Sequence, residues 1–381
     1  MTWEVLMNRK YIMRTLRTEI LRKRPYFAHL AITHRCNLRC RFCHIREERF
    51  EELDLDGMKR VIDVLDRMGV AVLSICGGGE PLLRKDFAAI INYAVDKGLY
   101  TKITSNGTLP LDRYRELLQS KATEIALSLD GVKGDDLPFS HVSPKILQTI
   151  RYLNNNIQKD KRLILNVTIS DRNRDQVGEI VDHCTREFPR ARIWLNPVVT
   201  GEGKLRTDRV NTVDPVYLRH VDSPTLLKAD CYTRGVEEHF RKRKYDWGCL
   251  AGEFSFDIKP NGDFWICQDQ PSRPLLNVLD PDFLKKHRRA DFGYRRQCSG
   301  CTYSCYYLTK KLFEPPNWPD LARIWWQTAT APNERCRGIA GKYGWAAGLL
   351  YFCTLRRFEA APEKLRSRFV ENTEFRMRTG W

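Results

Sequence analysis

The sequence predicts an α/β fold: a parallel sheet with helices packed outside it. Three observations carry this reading. Short β-rich runs alternate with helix-period stretches from residue 27 to residue 199, the alternation recurs through six strand runs, and several of those runs are apolar nearly throughout. Strand followed by helix, repeated, specifies parallel strands joined by crossovers. Strands without a polar face imply that both faces are covered.

The strand runs occupy the 27–34 region and residues 70–76, 100–105, 124–130, 163–170 and 192–199. Between the first two, residues 58–68 place Val61, Leu65 and Met68 at helical spacing. Similar stretches fill 86–97, 112–120, 144–155 and 175–187. In such folds the chemistry sits at the carboxyl ends of the strands. Residues 1–26 read as a basic N-terminal helix and 200–247 as a connecting segment, with Gly201, Gly203 and the basic run Arg241–Lys244. Residues 248–306 read as a small cysteine-rich module. Within it, two alternating runs flank Pro260-Asn261-Gly262-Asp263, a hairpin signal. Residues 307–381 read as a helical extension rich in aromatics and arginine.

The 381 residues suffice for one large domain and a smaller one, and 42% hydrophobic with 29% charged residues is a globular composition. No run of about 18 uncharged apolar residues is present, which excludes a transmembrane helix. The basic N-terminus lacks the apolar core and cleavage site of a secretory signal. Thirteen cysteines without an export signal read as metal ligands or catalytic groups before disulfides, and predict a cytoplasmic protein. The net charge of +17 favours an anionic partner or is a solubility feature; charge alone does not separate the two.

Directly after the first strand comes Cys36-Asn-Leu-Arg-Cys40-Arg-Phe-Cys43. Three thiolates within eight residues can converge on one iron–sulfur cube, which is normally held by four cysteines. A cube held by three leaves one iron open to a further ligand, as a catalytic metal site does. The plain alternatives are a zinc site or unrelated buried cysteines. Further segments follow in order at successive strand ends: Gly77-Gly78-Gly79-Glu80-Pro81, Ser105-Asn106-Gly107-Thr108, Ser128-Leu129-Asp130-Gly131, Asn166 within the fifth strand, and Leu195-Asn196-Pro197. Each alone is weak, an Asn-Gly being usually a turn.

This series, with Phe42 before the last cysteine of the triplet, resembles the radical S-adenosylmethionine (SAM) superfamily. The resemblance covers residues 27 to about 199 and implies a partial (β/α)6 barrel. It implies a SAM-binding 4Fe–4S cluster on Cys36, Cys40 and Cys43, whose open iron is chelated by SAM. Reductive cleavage of SAM then gives methionine and a 5′-deoxyadenosyl radical. By the same resemblance Phe42 packs near the adenine, Gly78 and Gly79 let backbone approach the ligand, Glu80 accepts from the SAM ammonium, and Ser105, Asn106, Ser128, Asp130, Asn166 and Leu195 contribute to the SAM site. A flavodoxin- or ferredoxin-type reductant is implied as partner. After Gly131 the chain reads Val132-Lys133-Gly134-Asp135-Asp136 where many relatives carry a histidine-aspartate-x-x-arginine-glycine stretch, which weakens transfer from the peptide-modifying relatives.

Cys249, Cys267, Cys298, Cys301 and Cys305 resemble the SPASM and twitch auxiliary-cluster modules, in particular the shorter twitch form. Five candidates imply one auxiliary 4Fe–4S cluster, on Cys249, Cys267 and two of the last three. A zinc ribbon is the alternative. Cys76, Cys184, Cys231, Cys336 and Cys353 have no ligand spacing and read as small buried hydrophobes.

For the substrate, fewer than 40 residues precede Cys36, less than a separate domain needs, which disfavours peptide recognition. The reading favoured is hydrogen abstraction from a small or lipid-like anionic metabolite, leading to oxidation, epimerisation or carbon–carbon bond formation. The alternatives are a peptide- or protein-modifying maturase, or a non-catalytic iron–sulfur protein binding nucleic acid, which intact Glu80 and the complete triplet disfavour. Residues 324–332 and 343–358, apolar with basic flanks, suit peripheral contact with a membrane or, more simply, a helix packed on the barrel.

Overall fold

The computed structural model describes residues 25–40, 43, 50–76, 78–132, 143–170, 173–200, 210, 211, 215–242, 247–268, 274–293, 301, 303–311, 314, 317 and 320. Residues 1–24 of the expected N-terminal helix (1–26), Phe42, Gly77, Asp135, Asp136, Cys298, Cys336, Cys353 and the apolar segments 324–332 and 343–358 lie outside the described residues, and residues 25 and 26 are not helical.

The six expected strands form β1 (Phe27–Leu30), β2 (Val72–Ile75), β3 (Tyr100–Ser105), β4 (Glu124–Ser128), β5 (Arg162–Ile169) and β6 (Ala191–Pro197). They pair in that order and all in parallel. Helices α1 (Leu55–Met68), α2 (Phe87–Asp96), α3 (Leu111–Gln119), α4 (Pro144–Asn156) and α5 (Val177–Glu187) connect them. Helix α1 is set by its ends: the Asp54 carboxylate accepts from the Gly57 N–H at 2.7 Å, and Gly69 closes the last turn with φ 81°. Its buried stripe contains Val61, Leu65 and Met68, as the spacing predicts. Ile75, Ile103, Ile125 and Leu165 are fully buried, each such side chain contributing roughly 1.5–3 kcal/mol.

Among the described residues the sheet has nine strands in the order 276–277, 263–265, 255–258, β1, β2, β3, β4, β5, β6; beyond β6 only an isolated bridge from Ile193 to Leu226 follows, and the strands do not close into a full barrel. The expected hairpin is β9 (Ser255–Ile258) with β10 (Asp263–Trp265), turned at Gly262 with φ 85°. It does not stand apart from the barrel. β9 pairs in parallel with β1, and β11 (Leu276–Asn277) adds to β10. The segment between β6 and β9 contributes the short strands β7 (Val199–Thr200) and β8 (Val210–Asn211) and helices α6 (Tyr217–His220) and α7 (Asp230–Lys242). Helix α8 (Phe283–Arg289) follows the hairpin, and α9 (Ser304–Lys311) begins at the last cysteines.

The two faces of the sheet differ. Ser105 bonds Tyr114 of α3 at 3.2 Å, so the Ile103/Ser105 face carries the helices. On the opposite, inner face one register row crosses six strands: Asp257, His29, Ser74, Lys102, Glu124 and Arg162. Lys102 pairs with Glu124 at 3.3 Å, Tyr100 donates to Glu124 at 2.9 Å, and Arg162 donates to the Tyr100 hydroxyl at 3.3 Å. Burial pushes the Glu124 carboxyl up, but Lys102, Arg162 and Tyr100 outweigh it and hold it below its ordinary range.

Candidate active site

The triplet lies in the loop after β1, held by Glu52. The Glu52 carboxylate accepts from the Thr33 hydroxyl (2.5 Å), the His34 N–H (3.4 Å) and both Nε and a terminal nitrogen of Arg35 (3.3 and 3.2 Å). Burial raises the Glu52 carboxyl, and these donors outweigh burial and lower it. Cys40 is buried, Cys43 half-buried and Cys36 exposed. The Cys43 N–H donates to the Cys40 carbonyl at 3.1 Å and the Leu38 N–H to Cys36 Sγ at 3.4 Å. Burial pushes the Cys36 thiol up, the Leu38 N–H opposes this, and Glu80, Cys40 and Cys43 push further up. Glu80, Cys40 and Cys43 therefore lie near enough to Cys36 to act on its thiol. Like charges so gathered ionise together when a cation joins them, which the irons of a cluster supply. The donor set fits a 4Fe–4S cube. Among the described residues no three His, Cys, Asp or Glu side chains close around a single-ion position.

The glycines of the second motif pack against this loop. The Gly79 N–H donates to the Thr33 carbonyl (2.7 Å) and the Glu80 N–H to the Arg35 carbonyl (2.8 Å). A Cβ at Gly78 would lie 2.3 Å from the Thr33 oxygen, and one at Gly79 2.0 Å from the Arg35 oxygen. Their missing side chains thus bring two backbone segments together. Glu80 is buried and receives the Leu82 N–H at 3.1 Å and the Asn106 N–H at 2.7 Å. Asn106 in turn donates to Asn37 at 2.9 Å and reaches Cys36 Sγ at 4.0 Å, while its oxygen accepts from the Thr108 hydroxyl at 2.7 Å. Gly107, at φ 79°, makes the turn. The third motif is thereby tied to the first.

The remaining candidates divide. Ser105 turns to the helical layer, bonded to Tyr114 and the Gly107 N–H, away from the cysteine loop. Ser128 and Asn166 are register partners on adjacent strands. Asp130 accepts from the Thr168 N–H at 3.2 Å, and its backbone oxygen accepts from Asn173 at 2.7 Å. Leu195 is buried and lines a small pocket with Leu218, Leu226 and Tyr232.

Four of the later cysteines gather around α9. Burial pushes the Cys305 thiol well up, with Cys76, Asp257 and Cys301 acting in the same direction and Lys102 against. Cys267 and Cys305 both act on Tyr306, and Cys249 acts on Lys310 one turn further along. Trp247 donates to the Cys301 carbonyl at 2.8 Å and Lys310 to the Trp247 carbonyl at 2.8 Å, which pins the Cys249 segment to the helix.

Cys184 behaves as a small hydrophobe, burial pushing its thiol up to about 12, while at Cys231 burial and then the neighbouring Asp320 carboxylate push the thiol up to about 12. Cys76 does not. Its Sγ lies 2.9 Å from His29 Nδ1 and 3.1 Å from Ser74 Oγ. Burial raises this thiol, but His29, Ser74 and Lys102 outweigh it and lower it. Glu52, Asn37 and Cys76 are the residues that motif reading passes over. Alternation along β2 is a signal for the last, since Cys76 shares the parity of Ser74.

Residues 30–184 match the model of the Radical SAM superfamily. The chain is 30% identical over 177 residues to an S-adenosylmethionine-dependent nucleotide dehydratase of Selenomonas ruminantium, covering 46% of this chain and 57% of that one. It is 26% identical over 326 residues to an AdoMet-dependent heme synthase of Methanosarcina barkeri, covering 74% and 93%. Among solved structures, SuiB of Streptococcus suis bound to S-adenosylmethionine aligns with a TM-score of 0.56 at 20% identity, covering 74% of this chain and 70% of that one. This likeness is one of fold. The chain spans little more than half the length of the dehydratase.

Proposed function

From the radical SAM domain carried by residues 30–184, we propose that this chain is an enzyme that cleaves SAM reductively and abstracts hydrogen from a small or lipid-like anionic metabolite. The observation that carries the reading is the convergence of Cys36, Cys40, Cys43, Glu80 and Asn106 at the ends of the first three strands. Cys36, Cys40 and Cys43 would hold the cluster. When bound, it supplies the electron that splits SAM into methionine and a 5′-deoxyadenosyl radical.

The protein's own residues do the rest. Glu80, fixed by two backbone donors, presents a buried carboxylate suited to the SAM ammonium. Asn106 holds Asn37 and so the mouth of the cysteine loop. Asp130, Ser128 and Asn166 offer polar groups toward the carboxyl ends of β4 and β5. The support for an anionic substrate is the net charge of +17, with Lys102, Arg162 and Arg192 among the basic side chains of the inner face. Cys249 and Cys267 with two of Cys298, Cys301 and Cys305 would hold one auxiliary 4Fe–4S cluster, a reading supported by Cys301 and Cys305 lying at α9, and a flavodoxin- or ferredoxin-type donor would supply electrons.

Anaerobically reconstituted protein with SAM and dithionite should release 5′-deoxyadenosine and methionine, and Cys40→Ala should release neither. Iron-loaded wild-type protein that leaves SAM intact would sink the reading.

A further inference from the structure

Cys76 and His29 meet on the inner face of the sheet and take no part in holding the first cluster. Ser74 and His29 are register partners, so thiol, hydroxyl and imidazole lie together beside Lys102. A second observation concerns the imidazole. His29 is 5% exposed, and its Nε2 is buried without a hydrogen-bond partner among the described residues. Packed interiors pair such atoms as a rule, and an exception asks for an explanation. The ring is held at 4.8 Å from Phe27 and 5.8 Å from Tyr306, centroid to centroid, so it is fixed with Nδ1 on the sulfur. Cys76 itself lies four residues before Glu80, on the strand whose end reaches the cysteine loop.

We propose that Cys76 is a catalytic hydrogen-atom donor to a carbon radical formed inside the barrel, with His29 as its proton partner. The proposal rests on the radical chemistry of the preceding subsection. A sulfur–hydrogen bond is far weaker than the ammonium N–H bonds of Lys102 and about as weak as a phenolic O–H, but the Tyr100 hydroxyl is committed to the Glu124 carboxylate at 2.9 Å, so among these groups a carbon radical takes its hydrogen from the thiol. In the step, the substrate carbon gains the proton shared by Sγ and Nδ1 together with one electron from sulfur. A C–H bond forms, the S–H bond is lost, and Cys76 becomes a thiyl radical. One electron from a flavodoxin- or iron–sulfur-class donor and one proton arriving through His29 Nε2 restore the thiol. Each turnover thus consumes two electrons, one to split SAM and one to restore Cys76. The net change is replacement of a substrate hydrogen by one from solvent, the chemistry of an epimerisation.

The test needs no substrate. Reconstituted protein is given SAM and dithionite in thiol-free D2O, and the 5′-deoxyadenosine is analysed by mass spectrometry. The O–D bonds of water do not yield deuterium to a carbon radical, whereas an exchanged Cys76 does. Wild-type product is expected to be largely monodeuterated, and in Cys76→Ser the labelled fraction should fall roughly tenfold or more, as loss of a positioned donor requires. Unlabelled wild-type product, or label that persists in Cys76→Ser, overturns the proposal. Iron is counted on the same preparations, and a deficit of one cluster in Cys76→Ser would make the sulfur a metal ligand and also overturn it. Absence of 5′-deoxyadenosine from wild type refutes the radical reading instead. The pair is then judged by iodoacetamide alkylation of iron-free protein, where Cys76 should react roughly tenfold faster in wild type than in His29→Phe. Equal rates there overturn the pairing.

Discussion

Gly79→Ala tests whether the second motif is built to hold the cysteine loop. The added Cβ would lie 2.0 Å from the Arg35 carbonyl oxygen, 2.4 Å from its carbon and 2.7 Å from the carbonyl carbon of His34. All three are backbone atoms, which no rotamer change can move. Either the loop retreats or residues 79–80 do, and both routes strain the bonds from Gly79 N–H to Thr33 and from Glu80 N–H to Arg35. Two lost backbone bonds at about 0.5–1.5 kcal/mol each, with overpacking of about 1–3 kcal/mol, give a loss of about 2–6 kcal/mol. For a chain of this size that lowers Tm by about 3–9 °C. Retreat of the loop also takes Cys36 away from Asn106, so iron bound after anaerobic reconstitution should fall well below wild type. Gly178→Ala is the control. Its Cβ meets nothing within 4 Å in helix α5, and it should be neutral or stabilising by up to about 1 kcal/mol. A Gly79→Ala protein with full iron and unchanged Tm would refute the packing argument.

Three further outcomes follow from the same geometry. In Glu80→Gln one of the N–H groups of Leu82 and Asn106 faces an amide nitrogen instead of an acceptor, a buried mismatch of about 1–3 kcal/mol; SAM affinity, measured by equilibrium dialysis, should drop at least several-fold. Glu52→Ala releases Thr33, His34 and Arg35 together, and electron paramagnetic resonance of the reduced protein should show a weakened or heterogeneous signal from the first cluster while the remaining fold persists by circular dichroism. Asp86 is held below its ordinary pKa first by its hydrogen bonds to Arg84. A lowered carboxylate stabilises fully above its unfolded pKa, near 3.9, and loses that contribution as pH falls through its folded value. The gap in urea midpoint between wild type and Asp86→Asn should therefore be constant above pH ~5 and shrink below pH ~4; a gap that instead widens in acid contradicts the pairing.

The order of the strands was legible because period-2 and period-3.6 patterns alternate cleanly from Phe27 to Pro197, and parallel strands so connected have few alternatives. The first cluster loop was legible for a local reason: its three cysteines lie within one turn region, and chain proximity alone brings them close. What the chain could not announce were pairings between distant segments. The hairpin at 255–265 reads correctly as a hairpin, yet nothing in its alternation says that Ser255–Ile258 lies beside Phe27–Leu30, 228 residues earlier in register. The Ser105-Asn106 pair shows the same limit one residue at a time. Adjacent strand residues face opposite ways, so only Asn106 can reach Asn37 while Ser105 meets Tyr114. Cys76 is the sharpest case. Its partner His29 lies 47 residues away and carries no motif, so spacing makes the cysteine an ordinary apolar residue. Only strand register places its sulfur against an imidazole. A site on a parallel sheet is therefore readable from sequence where its residues share a loop, and becomes readable across strands only once the register is known, because register decides which alternate residues share the inner face.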